Sequence, residues 1–228
     1  YSATVVDSNG CAGNASIEVD EITDGGCGSM TSFTDPRDGQ TYAVVQIGNQ
    51  CWFAENLRYN PPNIGNVVDD DYWFTIGNDF TPNAMEPAWC YYNNDQSNNT
   101  LYGKLYNWYA VDTGSLCPAG WHIPSDAEWM QMIEYLGDIS VAGGKMKSTT
   151  GWNAPNTGAT NSSNFSGLPG GTRGPGGAFF FVGSEGLWWS STGGYSLAVK
   201  CMLYFDRNEV SLIDGIANSG FSCRCIKD

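Results

Sequence analysis

A single histidine, His122, stands among 228 residues, and lysine and arginine together number only ten. The first scarcity narrows catalysis and zinc binding, because any Ser/His or Cys/His pair must pass through a residue lodged between Trp121 and Ile123. The second, set against 24 Asp and Glu, leaves a formal charge of −14, which repels phosphate backbones and anionic lipid surfaces. Nucleic acid is therefore not an expected partner. No apolar run approaches the ~18 residues that span a bilayer, so no transmembrane segment is expected. The chain opens at Tyr1 without a signal peptide, as a trimmed exported product would. Cys-x-x-Cys, the commonest zinc and redox spacing, is also missing.

What is abundant tells the opposite story. Nine Trp, twelve Tyr and ten Phe supply ample core, while 29 Gly and ten Pro demand many turns, so a loop-rich domain packed on aromatics is expected. The eight cysteines at 11, 27, 51, 90, 117, 201, 223 and 225 are scattered rather than clustered for a metal. An even, scattered set favours disulfides in an oxidising compartment, although eight cysteines allow 105 pairings.

The strongest local signal runs from Cys117 to Leu136. Ser125 and Glu128 form a capping box, Asp126 and Glu128 complement the helix dipole, and Trp129, Met132, Ile133 and Leu136 recur at helical spacing before Gly137. An amphipathic helix of about three turns is expected there. A shorter helix is expected over 103–111, burying Leu105, Trp108 and Tyr109.

Elsewhere the pattern is strand and loop. Residues 1–22 alternate on both sides of Asp7-Ser8-Asn9-Gly10 and read as a β-hairpin, 23–34 as a Gly/Ser-rich linker, and Thr41 to Ile47 as a strand turning at Gly48-Asn49 into Cys51-Trp52-Phe53. Cys27 can tie back to Cys11, closing the hairpin on its linker. Residues 56–100 form a long irregular loop whose Asp69, Asp70, Asp71 and Asp79, like Asn93-Asn94-Asp95, offer oxygen ligands to calcium without EF-hand spacing. The segment after Gly137 is polar and irregular. Short strands follow at Phe165 to Leu168, Ala178 to Val182, Leu187 to Ser191, Leu197 to Phe205, Glu209 to Ile213 and Gly220 to Ile226. Central helices with short antiparallel strands at both ends imply an α+β domain whose terminal strands meet.

The opening "YSATVVDSNGC" resembles the closing strands of immunoglobulin-like repeats in large Bacteroidetes surface adhesins. From 35 to 228, "DGQTYAVVQIGNQCWFAENLRY", "YGKLYNWYAV", "CPAGWHIPSDAEW", "FSGLPGGTR", "LWWSST" and "GFSCRCIKD" occur in the order seen in the Fibrobacter succinogenes major paralogous domain, a family of exported modules that this segment resembles. That resemblance implies a C-type lectin-like fold with two helices, short antiparallel sheets and long loops, and it carries over a disulfide from Cys117 to Cys225. Closing so long a loop contributes about 4 to 5 kcal/mol in the chain-entropy model. Cys51, Cys201 and Cys223 look like additions to the family pattern; Cys201 and Cys223 are expected in neighbouring strands and are paired, leaving Cys51 with Cys90.

Catalysis finds little support. His122 is expected to pack or cap, a carboxylate pair for glycoside hydrolysis would show only in space, and the likeness of "LPGGTRGPGGAFF" to sulfatase-modifying enzymes meets cysteines that disulfides would consume. Binding fits better, since sugars stack on aromatic faces and hydrogen-bond to planar polar groups on loops. Candidates are Trp152, Asn153, Asn156, Asn161, Asn164, Arg173, Tyr195, Asp206, Arg207 and Asn208. Each has a plain structural alternative: Trp152 as a core plug, the Asn residues as turn formers, 206–208 as a hairpin tip. Trp188 and Trp189 point to opposite faces of a strand, so at least one is core. Ala154-Pro155-Asn156 keeps the Pro-Asn of calcium-dependent lectins but lacks their acid. The expected function is a non-catalytic cell-surface adhesion or recognition module that binds a glycan or protein through its loops, with calcium as the one cofactor to consider. A self-associating subunit of an extracellular fibre is the alternative, and an enzyme the third reading.

Overall fold

The structure, a computed structural model, describes residues 2–6, 12–16, 26–66 and 86–228. The expected N-terminal hairpin forms, with β1 (Ser2–Val6) antiparallel to β2 (Ala12–Ser16) and Val6 opposite Ala12. Asp69, Asp70, Asp71, Asp79 and Cys11 lie outside the described residues.

Strand alternation at 41–47 and the Gly48-Asn49 turn give the hairpin read from sequence: β4 (Thr41–Ile47) pairs with β5 (Gln50–Phe53). Ahead of them β3 (Ser32–Thr34) sets Phe33 opposite Tyr42, so 32–34, expected as linker, are part of the sheet. Arg37 fastens the intervening turn by bonding the Asp35 carboxylate and the carbonyls of Ser115, Leu116 and Cys117 while lying 3.6 Å over the Tyr59 ring. Next come β6 (Gly65–Asn66), β7 (Ala88–Cys90), α1 (Asn99–Tyr102), β8 (Leu105–Tyr106) and α2 (Trp108–Asp112). The helix expected from Gly103 starts only at Trp108, because Asn107 caps it there through the Ala110 N–H and Leu105-Tyr106 pair with β7 instead.

β9 (Trp121–His122) leads into α3 (Asp126–Tyr135), whose capping box is present in both directions and whose Trp129, Met132 and Ile133 are buried as the spacing predicts. Helix α4 (Ile139–Met146) occupies the stretch read as irregular. The remaining strands are β10 (Thr172–Arg173), β11 (Phe179–Phe180), β12 (Glu185–Gly193), β13 (Leu197–Tyr204), β14 (Val210–Ile216) and β15 (Ile226–Lys227). Phe165 to Leu168, expected as a strand, makes only the Lys147–Gly167 bridge. β12, β13 and β14 form one antiparallel sheet, and β15 enters a second of order β3-β4-β5-β15-β9, setting Ile226 between Trp52 and His122. The terminal strands meet, and the architecture is α+β with several small sheets.

The inner strands β5 and β12 are buried on both faces along most of their length, whereas β4 and β14 keep exposed residues. Phe53, Trp189, Met202, Cys223 and Cys225 pack into one core, and their strand neighbours Trp52, Trp188, Cys201, Leu203 and Ile226 into another. Adjacent Trp188 and Trp189 are both fully buried because each faces a different core.

The Cys117–Cys225 disulfide is present, tying the chain ahead of α3 to the last strand. The other pairings are corrected. Cys27 bonds Cys51 across a Cα separation of 4.8 Å, which removes both Cys27–Cys11 and Cys51–Cys90; Cys90 sits apart from Cys51, with Ala88, Tyr92 and Leu105. Cys201 and Cys223 are free thiols. Trp188 pairs with Cys201 on one side and bridges Ser222 on the other, so β12 separates them by about two strand spacings, roughly 10 Å, beyond disulfide reach.

Candidate functional site

The binding candidates converge on Lys147, a residue the sequence did not single out. Gly143 and Gly144 let α4 lie directly on backbone: an added Cβ would come within 2.5 Å of the Asn208 oxygen at Gly143 and of the Gly158 oxygen at Gly144. Just past this close approach, the fully buried Lys147 ammonium donates to the carbonyls of Thr157 (2.8 Å), Tyr204 (2.9 Å) and Arg207 (2.8 Å). An ammonium has three N–H donors, so all are used. Burial lowers its pKa, and the nearby Asp206 charge works against that shift. The helix, the 148–164 loop and the β13–β14 turn are thereby held by one cation. The converging oxygens already serve a positive charge, so this junction does not suit calcium.

Around it, most candidates spend their polar groups internally. Trp152 is half-buried, donates to the Gly167 carbonyl and lies 5.6 Å from the Lys147 ammonium. Asn153 donates to the Ser184 hydroxyl, Asn156 to the Ser148 carbonyl, and Asn161 grips Ser166 through both its side-chain atoms. Asn156, Asn161 and Asn164 all have positive φ, which marks them as turn formers. Asn208 fills the space beside Gly158. Asp206 and Arg207 stay exposed at the hairpin tip, the guanidinium 4.2 Å over the Tyr204 ring. Arg173 is fully buried, bonded to the Gly177 carbonyl and set over Phe179, while Tyr195 lies at the β12–β13 turn with its carbonyl bound by Tyr109. The structure thus sets Trp152 and Arg207 on Lys147, with Asn156 and Asn208 against the adjoining Ser148, Gly144 and Gly158, and leaves Asn153 at Ser184 and Arg173 and Tyr195 elsewhere. Asn93 and Asn94 likewise have positive φ, and Asp95 caps the turn after them. Among the described residues no three His, Cys, Asp or Glu side chains gather as a metal site.

His122 is clamped rather than poised. Its Nδ1 is 2.7 Å from Asp228 and its Nε2 2.8 Å from Glu128, the same carboxylate that completes the α3 cap. The hydrogen bond to Glu128 raises its pKa to about 9 against an opposing burial cost, with Asp228 adding to the rise. The imidazole is therefore protonated at neutral pH, with both N–H groups donated and no lone pair for a general base.

One loop leaves apolar side chains outward. Phe180, Phe181 and Val182 are 46%, 52% and 36% exposed in succession, and the two rings lie 5.8 Å apart. Phe181 has φ +66°, a left-handed conformation that costs a bulky side chain about 1–3 kcal/mol. The turn is held all the same. Its carbonyl accepts from the Ser184 and Glu185 N–H groups, Gly183 donates to Pro169, and Asn153 bonds both the Gly183 carbonyl and Ser184. Phe179, packed on Tyr92 and Arg173, roots the segment. Asn153, a candidate from sequence, thus braces an aromatic apex.

The pattern for the Fibrobacter succinogenes major domain matches residues 45–227. This chain belongs to that family. No curated protein and no solved structure matches it. Within this family member, sequence reading missed Lys147, the exposed apex and the buried Arg224. The signal for the last was a charged residue inside the mostly apolar stretch Phe221 to Ile226; for the apex it was five consecutive apolar residues, Ala178 to Val182, between glycines, a run that cannot turn every side chain to one core.

Proposed function

We propose that the domain is a non-catalytic recognition module of an exported protein and that it docks a protein partner through the Phe180-Phe181-Val182 apex. The carrying observation is the braced, strained and half-exposed aromatic pair: each ring forgoes about half of the roughly 1.5–3 kcal/mol that full burial of a phenylalanine supplies. Such patches are a property of interaction surfaces. With a net charge of −14, the matching partner surface is an apolar pocket ringed by basic side chains. A glycan reading is less favoured, because the Asn side chains that would bond hydroxyls are engaged with the chain itself. Two disulfides support export, the doubly bonded His122 supports the absence of catalysis, and α3 behind a Cys117–Cys225 staple supports a C-type lectin-like fold.

The test is attachment of beads carrying the domain to cell surfaces pretreated with protease or with glycosidases, in calcium and in chelator. Loss after protease alone is expected. Loss after glycosidase alone would overturn the protein-partner reading, and loss in chelator would restore calcium at the acidic loop of Asp69, Asp70, Asp71 and Asp79. A second reading, the fibre subunit, rests on the open edge of β14 with Ile213 and Ile216 exposed. Regular polymers of purified chain in electron micrographs would favour it.

A further inference from the structure

Among the described residues, no carboxylate touches the buried guanidinium of Arg224. The residue is 1% exposed, and its guanidinium donates to Asn56 Oδ1 (3.0 Å) and to the carbonyls of Phe53 (3.4 Å), Phe165 and Ser166 (3.2 Å), all of them neutral. The Phe165 ring stacks 3.8 Å from its central carbon. A guanidinium has five N–H groups, so one on Nη2 is left over. Burial draws its pKa down to about 9, partly offset by the charge of Glu55. A buried cation with no carboxylate in contact is costly, and proteins ordinarily pair such charges.

The same guanidinium lines a cavity of about 230 Å³ whose walls include Glu55, Arg58, Thr100, Ser166 and Leu168. Arg58 bonds Gln40, Glu55 and the Thr41 carbonyl, and the Glu55 oxygens accept from Arg58 and from the Ala43 N–H. Among the described residues the cavity walls thus hold two guanidiniums and one carboxylate, a local excess of positive charge on a strongly acidic protein. Leu101 and Leu168 supply apolar wall.

From this we infer that the cavity is a binding site for a single small carboxylate, which accepts from the Nη2 N–H of Arg224, with the Thr100 hydroxyl as a second donor. A carboxylate fits the volume, and an Arg–carboxylate bond is the strong, charge-assisted kind. The source is either a free organic acid or the acidic side chain of a peptide.

The experiment follows the Arg224 Nε–Hε resonance of the whole chain as sodium acetate, or N-acetylglutamate N-methylamide, replaces sodium chloride at constant ionic strength. A saturable shift with acetate is expected; a shift with the glutamate compound as well assigns the site to acidic side chains, and with acetate alone to free acids. Because Arg224→Lys removes core hydrogen bonds, Glu55→Gln is the second variant: it removes the one opposing carboxylate and should tighten acetate roughly fivefold, as a like charge a few ångströms away would demand. An unmoved resonance with both compounds, or an affinity unchanged in Glu55→Gln, overturns the site.

Discussion

At the scale of single residues, two buried or half-buried cations hold the loops, and each makes a distinct prediction. His122 has its pKa raised from 6.5 to about 9, so its contribution is complete below pH 6.5 and is lost as pH rises through about 9. Glu128, lowered from 4.5 to about 2 by His122 and by Ser125 against its burial cost, contributes above pH 4.5 and loses that contribution as pH falls through about 2. Melting temperature should therefore fall between pH 6.5 and 9, and His122→Gln should flatten that fall; an equal fall in the variant would remove the clamp from the account. Lys147→Met takes the ammonium from three part-buried carbonyls and should cost on the order of 3 kcal/mol by urea denaturation. A loss under about 1 kcal/mol would mean the loop junction holds without its ammonium.

At the scale of elements, α3 was legible because every signal for it is local: a capping box, dipole charges and a helical stripe within twelve residues. Ser125→Ala should cost about 1 kcal/mol, read by thermal or urea melting. Helix α4 was not legible, because Gly143-Gly144 argues against a helix in isolation and is required only by the backbone of Asn208, Glu209 and Gly158 that packs on it. Gly143→Ala should consequently destabilise, by about 1–3 kcal/mol of overpacking, although alanine is the better helix former; a stabilised variant would contradict the close approach. The binding candidates were ambiguous for a related reason. Asn156 and Asn161 look alike as ligand groups and as positive-φ turn formers, and only the partners of their amides, Ser148 and Ser166, tell the two roles apart.

At the scale of the molecule, two disulfides close the fold among the described residues, and one of them was legible. Cys117 to Cys225 followed from the family resemblance, whereas Cys27 to Cys51 joins a presumed linker to a strand, and no local pattern reports which strands neighbour one another. In the chain-entropy model the bond spanning 108 residues contributes about 4.8 kcal/mol and the one spanning 24 about 3.4 kcal/mol. Cys117→Ser/Cys225→Ser should accordingly lower the urea midpoint more than Cys27→Ser/Cys51→Ser; the reverse order would show that the last strand does not need its staple. The molecule as a whole divides its labour: polar side chains and cations fix the loops, and those loops hold an aromatic apex outward in an unfavourable backbone. Phe181→Gly tests that division most directly, through bead attachment measured beside the melting temperature. The account predicts a variant at least as stable as the parent, since glycine relieves the positive φ, with attachment reduced several-fold. Attachment at the parental level in this variant would contradict it.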